Sequence, residues 1–337
     1  MLCLERSLRH IKKSVAHRVL ITGGAGFIGS HLAEKLLAEQ YKVDVIDDLS
    51  TGSLANIIYL RTNPNFRFIQ GTATDRRLLT ETLRGDDAIY HLAASVGVRL
   101  VVEKLVQSIE NNVKGGEAVL AVASDLGKKV LLTSTSEVYG RGDREVFSEE
   151  DDLAMGPTIK GRWSYACSKA LDEYLAFAYH MERELPVTVV RLFNTVGERQ
   201  SSHYGMVLPT FVKQAIAGQP LTIHGDGTQS RCFCHVSDVV GALQKLMESD
   251  EANGEVYNVG STESVTIEEL ADRVIELTGS RSEKKFIPYD EAFRLGFEDI
   301  TKRVPDISKI KRLIGFEPSL TLDDIIIRLR DYIAVRA

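Results

Sequence analysis

Only four cysteines occur in the 337 residues: Cys3, Cys167, Cys232 and Cys234. They are too few and too irregularly spaced for a disulfide framework or a zinc ribbon, so a reducing cytoplasm is the simplest setting. No apolar run approaches the ~18–20 residues a membrane helix needs. Basic excess is also missing, and a formal charge of −6 argues against general nucleic-acid binding. His91, His203, His224 and His235 share no metal-ligand spacing, so no metal is expected. Residues 1–16 are basic but lack the continuous apolar core and cleavage site of a signal peptide; they read as a surface extension.

What is present is a rhythm. "RVLIT", "KVDVID", "FRFIQ", "AIYHLAA", "KVLLTS" and "PVTVVRLFN" are short aliphatic runs separated by helical patterns. That alternation predicts β-α-β units and a parallel sheet. The runs are continuously apolar, as strands covered by helices on both faces should be. After Asn194 the texture changes to short segments punctuated by Gly and Asp, with helices near 206–217, 236–249, 266–278 and 321–334. We expect a dinucleotide-binding domain over 17–195 and a smaller lobe over 196–337, interleaved with it.

Three stretches carry chemistry. "ITGGAGFIGSHL" sets Gly23, Gly26 and Gly29 between a strand and a helix, where backbone N–H groups and the positive helix end can receive a pyrophosphate. Asp47 and Asp48 end the next strand, where an acid binds ribose hydroxyls and repels a 2′-phosphate; NAD is favoured over NADP. The second stretch, "RWSYACSKALDEY", holds Tyr165 and Lys169 four positions apart, on one helix face. A tyrosine is a poor base at its ordinary pKa of ~10, but a neighbouring ammonium favours the phenolate. The third, "TSTSEVYG" at 133–140, either caps a turn or presents a proton-handling surface of Thr135, Ser136 and Glu137.

With "HLAA", "NNV", "STSEVYG", "RLFNTVG", "HGDGTQSR", "HVSDVV" and "YNVGS", the chain resembles the extended short-chain dehydrogenases that modify nucleotide sugars. The resemblance runs from about residue 18 to 334. It implies a doubly wound parallel α/β sheet of the Rossmann type with a smaller interleaved C-terminal α/β substrate lobe. It implies NAD, held by Gly23, Gly26, Phe27, Ile28, Asp47, Asp48, Leu92, Ala93, Ala94 and Asn112 together with Tyr165 and Lys169. Tyr165 would be the base and Lys169 the partner of the nicotinamide ribose, with Thr135 or Ser136 sharing the substrate hydroxyl. Asn194, Val207, Arg231 and Arg303 would meet a UDP-sugar, and a homodimer through helices around 100–124 and 164–183 is expected. Two departures stand out: Gly71-Thr72-Ala73 where Gly-Asp-Ile is common, and Glu198 where proline is usual.

Thr-Ser-Glu at 135–137 and "GRWSYACSK" resemble the UDP-glucuronate decarboxylases. Oxidation of a glucuronate at C4 gives a β-keto acid that loses carbon dioxide readily. On that reading Glu137 positions water or controls protonation at C5, and Arg231 holds a carboxylate or phosphate. "AASVGV" at 93–98 looks instead like a 4-epimerase, which is the alternative. A 4,6-dehydratase and a non-catalytic NAD-sensing protein are the less favoured readings.

Overall fold

The computed structural model describes residues 18–84, 87–95, 104–141, 144–201, 206–292 and 302–336. The expected N-terminal extension, His203 and most of "SVGV" therefore lie outside the described residues. β1 (Arg18–Thr22) leads through the glycine turn into α1 (Phe27–Ala38). Then come β2 (Lys42–Asp47), β3 (Phe66–Gln70), α2 (Arg76–Thr82), β4 (Ala88–His91) and α3 (Leu105–Leu126). β5 (Val130–Thr135), α4 (Ser164–Arg183) and β6 (Val187–Leu192) complete the first run.

Strand faces alternate between two cores. In β1, Val19 and Ile21 enter one hydrophobic cluster and Leu20 enters the other; in β5, Leu131 and its neighbours Val130 and Leu132 divide likewise. Each such side chain contributes roughly 1.5–3 kcal/mol by leaving water, which is why the strands read as unbroken apolar runs.

Beyond β6 the chain keeps returning to this sheet. β7 (Thr195–Val196), α5 (Val207–Ile216), β8 (Leu221–His224), β9 (Ser230–Cys232) and β10 (Cys234–His235) precede α6 (Val236–Glu248) and β11 (Glu255–Val259). α6 packs into the first core, and β11 pairs in parallel with β6. The result is a seven-stranded parallel sheet in the order β11-β6-β5-β4-β1-β2-β3. The order reverses between β1 and β4, opening a crevice at the strands' C-terminal ends. β12 (Ser264–Thr266), α7 (Ile267–Thr278), β13 (Lys284–Ile287), α8 (Tyr289–Ala292), α9 (Ser308–Ile314) and α10 (Leu322–Ala334) follow. α5, α7 and α10 share a separate core with Phe211, Leu270 and Ile325. Among the described residues, no helix is long and apolar enough to cross a membrane.

The exit of β5 is held from below. A 3₁₀ turn at Ser136–Tyr139 follows it, and Tyr139 stacks on Phe147 at 4.9 Å and donates to Asn258 Oδ1 at 2.7 Å. The Arg191 guanidinium lies 4.8 Å from the Tyr139 ring and is itself bound by Glu173 at 2.7 Å, with both side chains almost fully buried. Removing one partner strands a buried charge. We expect Glu173→Gln to lower stability by about 3 kcal/mol in urea unfolding, the low end for a broken buried pair because the amide keeps one hydrogen bond. An unchanged midpoint would show that the pair contributes nothing.

Candidate active site

The crevice widens into a cavity of about 1190 Å³, lined by the glycine turn, the ends of β2, β4 and β5, and α5 with the strands around it. On the dinucleotide side the backbone leaves no room for side chains. Gly23 has φ +74°, and a Cβ there would lie 2.7 Å from Ala93 N; one at Gly29 would lie 2.3 Å from Gly23 O. α1 starts at Phe27 with no side-chain cap and no acid in its first turn, so its positive end faces the cavity. A bare, positive turn of this shape fits a pyrophosphate.

Asp47 and Asp48 both line the cavity, but they are held differently. Asp47 accepts Ala25 N at 2.9 Å and Leu49 N at 2.8 Å, and burial pushes its carboxyl above its ordinary value. It thus ties the β2 exit to the glycine turn. Asp48 is exposed and accepts Ser50 N at 2.8 Å. Phe27, Ile28, Leu92, Ala93 and Ala94 line the same side, as do Gly71, Thr72 and Ala73 where the usual aspartate is missing. Asn112 does not line the cavity. It accepts Ser95 N at 2.7 Å and donates to Ser168 Oγ at 3.2 Å, joining the β4 exit to α3 and α4.

Across the cavity stands Tyr165, in the first turn of α4 and beside Thr135. Thr135 accepts Glu137 N at 3.2 Å. Of the two alternatives for this stretch, the cap is present: Thr135 caps the 3₁₀ turn, and it lines the cavity beside Tyr165. Ser136 and Glu137 line the cavity beside it.

Two expectations about charge need correction. Tyr165 is not eased toward phenolate in the protein alone: burial pushes it well up, and Glu137 and Asp172 add to that. The Lys169 ammonium, expected to counter this, is bound to Asp172 at 2.7 Å and is not among the lining residues. Glu137 likewise is held as the ionised carboxylate by its cationic neighbours. Burial alone would raise its carboxyl, but Arg303 and Arg162 overcome that and hold it at about 2. Arg162 was not singled out from sequence, although its place three residues before Tyr165 in "GRWSY" was the signal.

The remaining predicted contacts line the far side. Asn194 donates to Cys232 O at 2.9 Å, Val207 opens α5, and Arg231, nearly buried, donates to Ser230 O at 2.8 Å. Arg303 lines the cavity with its Nε buried and without a hydrogen bond. Glu198, at the usual proline position, pairs with His235 at 3.1 Å.

A glycine turn at the switch point, faced by a helix-borne tyrosine and a hydroxyl from β5, is the arrangement of the short-chain dehydrogenases. The chain belongs to the GDP-mannose 4,6 dehydratase family, whose profile matches residues 20–329. It is similar to the UDP-N-acetyl-alpha-D-glucosaminuronate decarboxylase of Bacillus cytotoxicus: 40% identical over 305 residues, covering 90% of this chain and 94% of that protein. UDP-glucuronic acid decarboxylase 1 of Danio rerio is 36% identical over 312 residues, or 91% of this chain and 70% of the relative. The solved UDP-glucuronic acid 4-epimerase of Bacillus cereus, in complex with UDP-glucuronic acid and NAD, matches with TM-score 0.84 at 30% identity; 95% of this chain and 100% of that one are covered. The protein is an NAD-dependent enzyme of the nucleotide-sugar class.

The Glu137 cluster makes a pH prediction. A carboxylate whose folded value is depressed stabilises fully above its unfolded value of 4.5 and loses that contribution as pH falls through about 2. The deficit of Glu137→Gln against wild type, about 3 kcal/mol near neutrality by linkage, should therefore narrow between about pH 4.5 and 2. A deficit constant with pH, in urea unfolding, would contradict the pairing.

Proposed function

We propose that the protein converts a UDP-hexuronate to the UDP-pentose and carbon dioxide, through transient oxidation at C4. The observation that carries this is one cavity holding the Tyr165–Thr135 pair beside Glu137, Arg162 and Arg303. The chemistry NAD would supply when bound is reversible hydride acceptance at C4, so the cycle would consume no net oxidant. The glycine turn would hold its pyrophosphate and Asp47 and Asp48 its adenosine ribose, with a bias against a 2′-phosphate.

Tyr165 takes the proton of the C4 hydroxyl, oriented by Thr135 and Ser136, and gives it back at the end. The ketone then stands β to the C6 carboxylate, so carbon dioxide leaves and the electron pair passes into the enolate. Protonation at C5 and reduction at C4 balance the sequence. Two guanidiniums and one carboxylate sum to a single positive charge. That is enough to orient a hexuronate carboxylate, while Glu137 tempers the grip that would oppose its loss. Asn194, Val207 and Arg231 would hold the nucleotide diphosphate.

A 4-epimerase is the second reading, and the match to the Bacillus cereus enzyme favours it. On that reading the same ketone is formed, turned and reduced on its other face. The substrate's C2 group is a hydroxyl or an N-acetyl, the two kinds named for the decarboxylase relatives. Incubation with UDP-glucuronate and UDP-N-acetylglucosaminuronate, read by mass spectrometry and NMR, separates these readings. A product lacking the carboxyl is expected from at least one. A C4-inverted product of unchanged mass from both would replace decarboxylation with epimerisation. In the same assay Tyr165→Phe should lose roughly a hundredfold or more in turnover while still binding NAD, as expected for lost acid–base catalysis. Near-full turnover would move the base elsewhere.

We also propose a homodimer in a reducing cytoplasm. The outer faces of α3 and α4 expose Val106, Ile109, Leu171 and Tyr174, and the described cysteines are free. Leu171→Asp with Tyr174→Asp should halve the mass seen by light scattering; an unchanged mass would exclude this face.

A further inference from the structure

Lys169 and Asp172 form an ion pair at 2.7 Å one helical turn apart, and each residue is 1% exposed. A pair so deeply buried is costly to make, and the structure makes room for it deliberately. Gly116 of the neighbouring α3 faces it, and a Cβ at that position would lie 2.5 Å from Asp172 Oδ1. Tyr165, Lys169 and Asp172 thus succeed one another along α4, with the tyrosine in the cavity and the ion pair beneath it.

We propose that Asp172 is a positioning residue: its carboxylate, seated against bare Gly116, holds the Lys169 ammonium under the cavity and sets how much of that charge reaches Tyr165. The proposal rests on Tyr165 being the base and Lys169 its cationic neighbour. In a low-dielectric interior a carboxylate in contact with an ammonium cancels most of its field at a third group. Asp172 therefore limits the ease with which Tyr165 gives up its proton. It also leaves Lys169 a charge-paired resting place from which a competing acceptor, such as a ribose hydroxyl, can draw it.

The surroundings contain few other charges. Around Tyr165 stand Asp172 and, from the turn after β5, Glu137, itself matched by Arg162 and Arg303. From β4, His91 faces Lys169; burial first and the ammonium second hold its imidazole down to about 3, so it is neutral. Its Nδ1 is 2.7 Å from Thr22 Oγ1. On α4 the next acid, Glu173, is taken by Arg191 of β6, and on α3 Glu117 is paired with Arg76. Among these described groups, Asp172 is the carboxylate in contact with the Lys169 ammonium.

The test uses full-length protein in two measurements. The first is ultraviolet titration of tyrosinate without cofactor, with Tyr165→Phe subtracted to isolate one phenol. The second is the pH dependence of single-turnover NADH formation with the UDP-hexuronate. Asp172→Asn should move the Tyr165 titration and the rising limb of the rate down by about one pH unit, because a like-signed neighbour is removed. Gly116→Ala, which pushes the carboxylate aside without changing charge, should move both in the same direction by less. Asp172→Glu should return them toward wild type. KM for the UDP-hexuronate should stay constant throughout. Wild-type titration and limb in both Asp172→Asn and Gly116→Ala, with rates lowered evenly at every pH, would overturn the proposal and leave Asp172 a structural counter-charge. Near-full turnover by Tyr165→Phe would overturn the reading of the base, and this proposal with it.

Discussion

A carboxylate buried at the exit of β5 survives only because two guanidiniums reach it from distant parts of the chain. Arg162 comes from the 3₁₀ turn that leads into α4, and Arg303 from the C-terminal segment before α9. Removing Glu137 would leave two guanidiniums buried without their counter-charge, and burial would raise the Glu137 carboxyl if they were absent. The triad therefore joins the sheet, the helix carrying Tyr165 and the late part of the chain at one point. It also fixes the electrostatic character of the cavity wall that a sugar would meet.

The arrangement around Tyr165 follows the same logic on a smaller scale. Among the described residues, the ionisable groups near it are matched: Glu137 by two arginines, Lys169 by Asp172, Glu173 by Arg191. A phenol among matched charges stays protonated, and burial pushes it further that way. Activation then belongs to what the bound state adds or displaces. Thr135, which caps its turn and lines the cavity beside the phenol, is the fixed neighbour in this scheme.

The sheet was legible because its inner strands are buried on both faces, so Leu20, Leu131 and their neighbours had to be apolar without alternation. The glycine turn was legible for a related reason: at Gly23 and Gly29 no other residue fits. α6 and β11 build onto the sheet from beyond the expected boundary at 195/196; interleaving was expected, but no local pattern announces which segments return to the sheet. The same limit applied to charge. Arg162, Glu137 and Arg303 carry no spacing that marks them as one cluster. Asp172 could be seen to lie one turn from Lys169, but not that Gly116 on another helix makes room for it. Asn112 and Lys169 were expected at the cofactor, yet neither lines the cavity.

The central claim is that carbon–carbon cleavage follows oxidation in this cavity. The most direct measurement supplies UDP-hexuronate labelled with carbon-13 at C6 in deuterated water, and follows the label and the solvent deuterium by NMR. Labelled carbon dioxide and a UDP-pentose carrying one solvent deuteron at C5 are expected. Label retained in the nucleotide sugar, with the C4 centre inverted, would contradict that claim.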